Sequence, residues 1–151
     1  MAKQRQGGIF MLTIRHAEPG DRSFWFTLDK HISETEFDRK VRDKMGYVLL
    51  QDSNPAGLLR YNLFWDNTPF CNLLYISPSC QHRGLGKKLM LHWEKEMKGL
   101  GYDWVMVSTQ SDEDAQHFYR KIGYQDAGAL VINIPGAAQP MELFFIKPIY
   151  T

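Results

Sequence analysis

The period of the apolar pattern changes at Gly84, and that change does most to limit the folds open to this chain. Leu85, Leu89, Trp93, Met97 and Leu100 recur at spacings of four and three, which aligns them as one stripe on an amphipathic helix. Gly99 and Gly101 end it. The helix lies between two short apolar runs without helical spacing, residues 70–76 and 104–109, which read as strands. A helix of this length between two strands is the usual vehicle of a parallel crossover, so a mixed sheet covered by helices is expected.

The rest of the chain fills out that architecture. Residues 12–16 read as a short strand, and Glu18, Pro19, Gly20 and Asp21 supply a turn and a helix start ahead of an aromatic-rich helix at 24–28. Ser33 followed by Glu36 forms a capping box, so a helix is expected over 34–44, stopping at Gly46. Runs 47–51 and 57–64 are joined by the turn formers at 52–56. A second turn at 66–69 leads into 70–76, giving a three-stranded meander. After 104–109, Ser111 and Asp114 are expected to cap a helix carrying Ala115, Phe118, Tyr119 and Ile122, ended by Gly123. Two last strands, 130–134 and 142–146, flank the turn-rich 135–140. The sum is an α/β (α+β) mixed sheet of about seven strands flanked by about four helices.

With 151 residues the chain suits one domain, assigned to 11–151, while the polar, Gly-ending 1–10 reads as a flexible arm or a vector-derived remnant. The formal charge of +1, from 18 Lys and Arg against 17 Asp and Glu, gives no field to draw the whole protein onto nucleic acid or an anionic membrane. No apolar run reaches the roughly 20 residues of a membrane span. Cys71 and Cys80 are the only cysteines and form no CxxC or Cys/His cluster, so no metal is expected and a cytoplasmic location fits. Cys71, inside an apolar run, reads as a small hydrophobe and not as a nucleophile.

Function becomes legible in Gln81, His82, Arg83, Gly84, Leu85, Gly86, Lys87 and Lys88. Glycines here keep side chains away from the backbone at the start of a helix whose first amides lack internal partners, and such an end attracts anions. Arg83, Lys87 and Lys88 add local positive charge. The spacing excludes a P-loop, which needs four residues between its glycines, and a dinucleotide fingerprint, which needs glycine where Leu89 stands. A plain helix-entry turn with solvated cations is the bland alternative.

This segment resembles the Q/R-x-x-G-x-G/A signature of the GNAT superfamily of acetyltransferases, through Gln81, Gly84 and Gly86. A second segment, Ala115 to Tyr124, resembles the family's A-x-x-F/L-Y-x-x-x-G-F/Y pattern and follows at the expected place. The resemblance spans about residues 12–146 and implies a GNAT-type acyl-CoA N-acyltransferase fold with acetyl-CoA as cosubstrate. It implies that amides of His82 to Lys87 grip the pyrophosphate of coenzyme A. It further implies that Leu74, Tyr75 and Ile76, on a strand splayed from its neighbour, hold the pantetheine arm and polarise the thioester carbonyl. Tyr119 takes the place of the family's general acid, which protonates the departing thiolate; a phenol with an ordinary pKa of about 10 is protonated at neutral pH. Its structural alternative is packing with Phe118 and Ala115. Asp112 stands where the family commonly has Asn against the pantetheine, keeping an acceptor but losing the amide donor.

The glutamate that serves as base in well-known members is replaced by Phe70 or Val107, neither of which accepts a proton. His31, Glu34, Glu36 and Asp66 are substitutes, with Phe64, Trp65 and Phe70 as walls of an acceptor pocket. The reading is therefore an N-acetyltransferase acting on a primary amine of a small molecule or peptide, with a catalytically weak or inactive acyl-CoA sensor or protein-interaction module of the same fold as the alternative. Dimers are frequent in the family, so a homodimer is allowed.

Overall fold

The structure, a computed structural model, describes residues 11–150; the expected arm at 1–10 lies outside them. The elements in order are β1 (Leu12–His16), a 3-10 turn (Pro19–Asp21), α1 (Arg22–Leu28), α2 (Glu34–Arg42), β2 (Gly46–Gln51), β3 (Asn54–Phe64) and β4 (Thr68–Ile76). A second 3-10 turn (Pro78–Cys80) leads to α3 (Leu85–Gly99), β5 (Trp104–Gln110), α4 (Ala115–Lys121), β6 (Gln125–Leu130) and β7 (Glu142–Pro148). One seven-stranded sheet results, in the order β1-β2-β3-β4-β5-β7-β6. All neighbours are antiparallel except β4 and β5, the pair that α3 connects. The fold is the GNAT acyl-CoA N-acyltransferase architecture that the motifs implied.

Alternation along the strands explains the two layers of core. Tyr47, Leu49, Leu59 and Tyr61 point to the face covered by Leu89, Trp93 and Met97 of α3 and by Tyr119 of α4. Val48 and Leu58 point the other way, onto Trp25 of α1 and Phe37 of α2. Covering both faces is what allows the central strands to be apolar on both sides. Leu100, expected on the α3 stripe, is 68% exposed, because the helix closes at Gly99 and Leu100 is its C-cap.

Several boundaries differ from the sequence reading. α2 ends at Arg42 in a left-handed Lys44 (φ 56°) whose successor Met45 donates to the Lys40 carbonyl at 2.9 Å, a Schellman-type close. Gly46 is therefore not the helix stop; it opens β2, where an added Cβ would stand 3.2 Å from the Trp25 ring. Ser33 Oγ accepts from the Glu36 amide, but the Glu36 carboxylate turns to Arg39 and leaves the capping box half made. The turn expected over 52–56 is only two residues, Asp52 and Ser53, both left-handed, and Pro55 sits in β3 beside a bulge at Leu49 and Leu50. The expected strand 130–134 is displaced: β6 is Gln125–Leu130, exposed along its length at the sheet edge and held by its backbone ladder to β7. Val131 and Ile134 are left in the loop with 71% and 60% exposure.

Candidate active site

A cleft forms because β4 leaves β5 early. The two strands are in register only at Phe70 with Met106 and Cys71 with Val107, whereas β4 stays paired with β3 up to Ile76 opposite Gly57. Beyond Cys71 the β5-facing edge of β4 therefore has no strand beside it. Two halves of the cleft, each about 520 Å³, meet where Leu74, Tyr75, Glu113, Ala115 and Tyr119 line both.

The first half ends in the glycine loop. Ser77 donates to the Ala56 carbonyl, Cys80 to the Ser77 carbonyl, and Gln81 Nε2 to the Ile76 carbonyl at 2.9 Å, which ties the loop to the end of β4. His82 (φ 64°) and Gly84 (φ 76°) are left-handed, and Gly84 is the N-cap of α3 without any side-chain cap. The first intrahelical bond is from Lys88 to the Gly84 carbonyl. Among the described residues no carbonyl or side chain takes the amides of Leu85, Gly86 and Lys87, so three donors and the positive end of a fifteen-residue helix face one place. That is the chemistry a diphosphate requires.

Leu74, Tyr75, Ile76, Gln81, His82, Gly84, Leu85, Gly86 and Lys87 all line this half, with Leu85 itself 5% exposed and rooted in the core. Two of the expected residues do not line it. Arg83, between the left-handed His82 and Gly84, is exposed to solvent, and Asp112 is exposed on the turn before α4. That turn is held differently from the expected Ser111 cap. Ser111 donates its amide to Met141, and Gln116 Nε2 donates to the carbonyls of Ser111 and Glu113, while the N-cap Asp114 makes no side-chain cap bond. Glu113, exposed like Asp112, is the acid of this turn that borders the cleft.

Tyr119 is 6% exposed, edge-on to Phe118 and Tyr124 with ring centroids at 5.3 and 5.8 Å. Among the described residues nothing bonds its hydroxyl. Burial, with a smaller push from Cys71 and Glu113, holds the phenol pKa well above its ordinary value, so the group carries its proton throughout the physiological range. Cys71 is buried and its thiol is pushed up to about 12 by desolvation, in keeping with a packing role.

The second half of the cleft is lined by His31, Asn72, Thr109, Gln110 and Glu142 among others. His31 arrives there because its amide is held by the buried Asp29 at 3.1 Å. Glu34, Glu36 and Asp66 do not line it: Glu34 lies 3.7 Å from Arg22, Glu36 pairs with Arg39, and Asp66 is in the β3–β4 turn. The expected aromatic walls are also elsewhere, since Phe70 packs at a tilt between Phe64 and Phe144 and Trp65 is 73% exposed. Two carboxylates escaped the sequence reading. Glu113 sits in an acidic run, Ser111 to Asp114, where nothing in the pattern says which acid faces inward. Glu142 reaches the cleft only through its register opposite Gln110.

The sequence profile of the acetyltransferase (GNAT) family matches residues 11–124. No curated protein gives a significant match. Among solved structures, the chain resembles the ribosomal-protein-S18-alanine N-acetyltransferase of Escherichia coli at 18% identity and a TM-score of 0.77, covering 93% of this chain and 96% of that one. It resembles the spermidine/spermine N-acetyltransferase of Vibrio cholerae at 18% identity and a TM-score of 0.76, over 91% and 92% of the two chains. It also resembles a GNAT family acetyltransferase of Elizabethkingia anophelis with acetyl-CoA bound, at 15% identity and a TM-score of 0.71, over 91% and 97%. With a profile match over most of its length and this sheet, the chain belongs to the acetyltransferase (GNAT) family.

Proposed function

We propose that this protein is an acetyl-CoA-dependent N-acetyltransferase that acts on a primary amine by direct attack in a ternary complex. The observation that carries the reading is the set of unpaired amides at Leu85, Gly86 and Lys87, opening onto a cleft that runs on past Tyr119. Acetyl-CoA supplies the acetyl group as an activated thioester. The loop amides bind its diphosphate, and the free edge of β4 at Leu74 to Ile76 orients the pantetheine arm and offers an amide to the carbonyl oxygen. Tyr119 holds a proton where the sulfur departs.

The acceptor half has Glu113 and Glu142 among its walls, and its one lysine, Lys30, is bonded to the Phe26 carbonyl, which suits a cationic amine. The similar proteins from E. coli and V. cholerae are named for a protein amine and for polyamines, respectively, so both classes belong in the acceptor panel. Calorimetry with acetyl-CoA tests the cosubstrate site, and amine-dependent release of free thiol tests transfer. Binding without release from any amine would leave an acyl-CoA-binding module in place of an enzyme.

A further inference from the structure

We propose that Glu113 is the base that takes the proton from the acceptor amine, an assignment that rests on the acetyltransferase reading above. A primary amine with a pKa of about 10 is in its free form in only roughly one molecule in a thousand at neutral pH. Attack on the thioester therefore gains from a proton acceptor within hydrogen-bond reach of the nitrogen. Neither Phe70 nor Val107 can be that acceptor.

Among the described residues two acidic residues line the cleft, Glu113 and Glu142. Their positions separate them. Glu142 lines only the acceptor half, whereas Glu113 lines both halves where they meet, together with Leu74, Tyr75 and Tyr119. The new nitrogen–carbon bond must form where the two substrates touch, so the base must stand at that junction.

The backbone under Glu113 is fixed from several sides. Its amide donates to the Gln110 carbonyl at 3.1 Å, its carbonyl accepts from Gln116 Nε2 at 3.0 Å, and the neighbouring Ser111 amide is tied to Met141 at 2.7 Å. The side chain is thus carried by a turn clamped to the end of β5. Of the other charged or titratable groups, Tyr75 of β4 and Tyr119 of α4 share this junction, Lys30, His31, Cys71 and Glu142 line the acceptor half alone, and Cys80, His82 and Lys87 line the loop half alone. The Lys30 ammonium is already donated to the Phe26 carbonyl at 2.7 Å, and the residues named for ion pairs with carboxylates elsewhere, such as Arg60 and Lys147, are occupied by Asp29 and Glu94.

The proton balance is complete with these groups. The ammonium gives one proton to the Glu113 carboxylate, the freed nitrogen pair forms a bond to the carbonyl carbon, and the carbon–sulfur bond breaks. Glu113 releases that first proton to solvent and then carries the second nitrogen proton out by the same route, while the sulfur takes a proton from Tyr119 and Tyr119 is reprotonated from water. The net change is ammonium plus thioester to amide, thiol and one released proton.

The test is thiol release at saturating acetyl-CoA, using whichever of spermidine, lysine and an alanine-starting peptide the unsubstituted protein turns over fastest. Glu113→Gln is expected to lower kcat by about 100-fold or more, with acetyl-CoA affinity by calorimetry within about threefold. The deficit should shrink as pH rises, because solvent then supplies free amine. Asp114→Asn, a neighbouring exposed carboxylate outside the cleft, should stay within about threefold. Glu113→Gln turnover near that of the unsubstituted protein, an equal loss in Asp114→Asn, or a loss traced to acetyl-CoA binding each overturns the assignment alone. No release from the unsubstituted protein with any amine overturns the acetyltransferase reading, and this assignment with it.

Discussion

Arg60 Nε donates to Asp29 Oδ2 at 2.7 Å, and this pair joins β3 to the segment between α1 and α2 that carries His31 to the cleft. Asp29 has no exposed surface, and its carboxylate also accepts from Trp25 Nε1 at 3.0 Å and from the His31 amide. Removing one member leaves a buried charge without its counterion, which costs on the order of 3–5 kcal/mol. Asp29→Ala and Arg60→Met should each lower Tm by about 10 °C. The double variant should lose less than the sum of the two, since the second substitution removes the charge stranded by the first. Asp29→Ala should in addition raise the amine KM, as the His31 segment loses its tether; thermal melts and steady-state kinetics check both.

Gly84 and Gly86 should respond to alanine in opposite ways. Gly84 sits at φ 76° with nothing within 4 Å of an added Cβ, so Gly84→Ala meets no clash but costs roughly 1–2 kcal/mol of backbone strain. At Gly86 the Cβ would make ordinary contacts of 3.7 to 3.8 Å with Phe118, Ile76 and Leu74, which line the cleft. Gly86→Ala is therefore expected to keep or raise Tm, through better helix propensity, while weakening acetyl-CoA binding at least tenfold by narrowing the cradle. Calorimetry on a Gly86→Ala protein that binds like the unsubstituted one would show that the diphosphate lies elsewhere.

These contrasts mark what a sequence can and cannot carry. The crossover was legible because Leu85, Leu89, Trp93 and Met97 keep a helical period over three turns and all end up buried. The loop was legible because a glycine at a left-handed N-cap leaves a local trace. β6 was not, since an edge strand needs only backbone partners and Gln125–Leu130 has no buried side to impose alternation. Gly46 read as a helix stop because the close approach of Trp25, 21 residues earlier, is invisible to local pattern. The lining of the cleft's second half escaped for the same reason: Glu142 depends on cross-sheet register, and Glu113 on which way a turn of acids is clamped.

Alkaline pH should destabilise the protein in a defined window. Burial pushes the Cys71 thiol and the Tyr61 phenol up to about 12, and it raises Tyr47, Tyr119 and Tyr124 as well. All five are neutral acids that keep their protons longer in the folded chain than in the unfolded one, whose ordinary values are near 9 for the thiol and 10 for the phenols. The unfolded state therefore binds fewer protons above those values, and stability falls as pH rises. Urea midpoints should show no slope from these groups below about pH 8.5, then a decline that steepens beyond pH 10. Cys71→Ala should flatten the onset near pH 9 relative to its own midpoint at pH 7.

Tyr119 and Tyr124 allow packing to be separated from chemistry. The Tyr124 hydroxyl donates to the buried Glu94 at 3.0 Å, and Glu94 also accepts from Lys147 at 2.6 Å, so Tyr124→Phe removes a partner from a buried carboxylate. That loss is expected to cost about 1–3 kcal/mol and to leave kcat within a few-fold. The Tyr119 hydroxyl has no partner among the described residues, and the residue borders both halves of the cleft. Tyr119→Phe keeps the ring contacts to Phe118, Tyr124 and Phe145, so its Tm should match that of the unsubstituted protein, while thiol release falls at least tenfold. Because burial raises the Tyr119 pKa, no alkaline limb in the unsubstituted rate profile should arise from this residue below about pH 10. A Tyr119→Phe protein that melts lower yet turns over normally would make the ring a core residue and leave the departing sulfur to draw its proton from water.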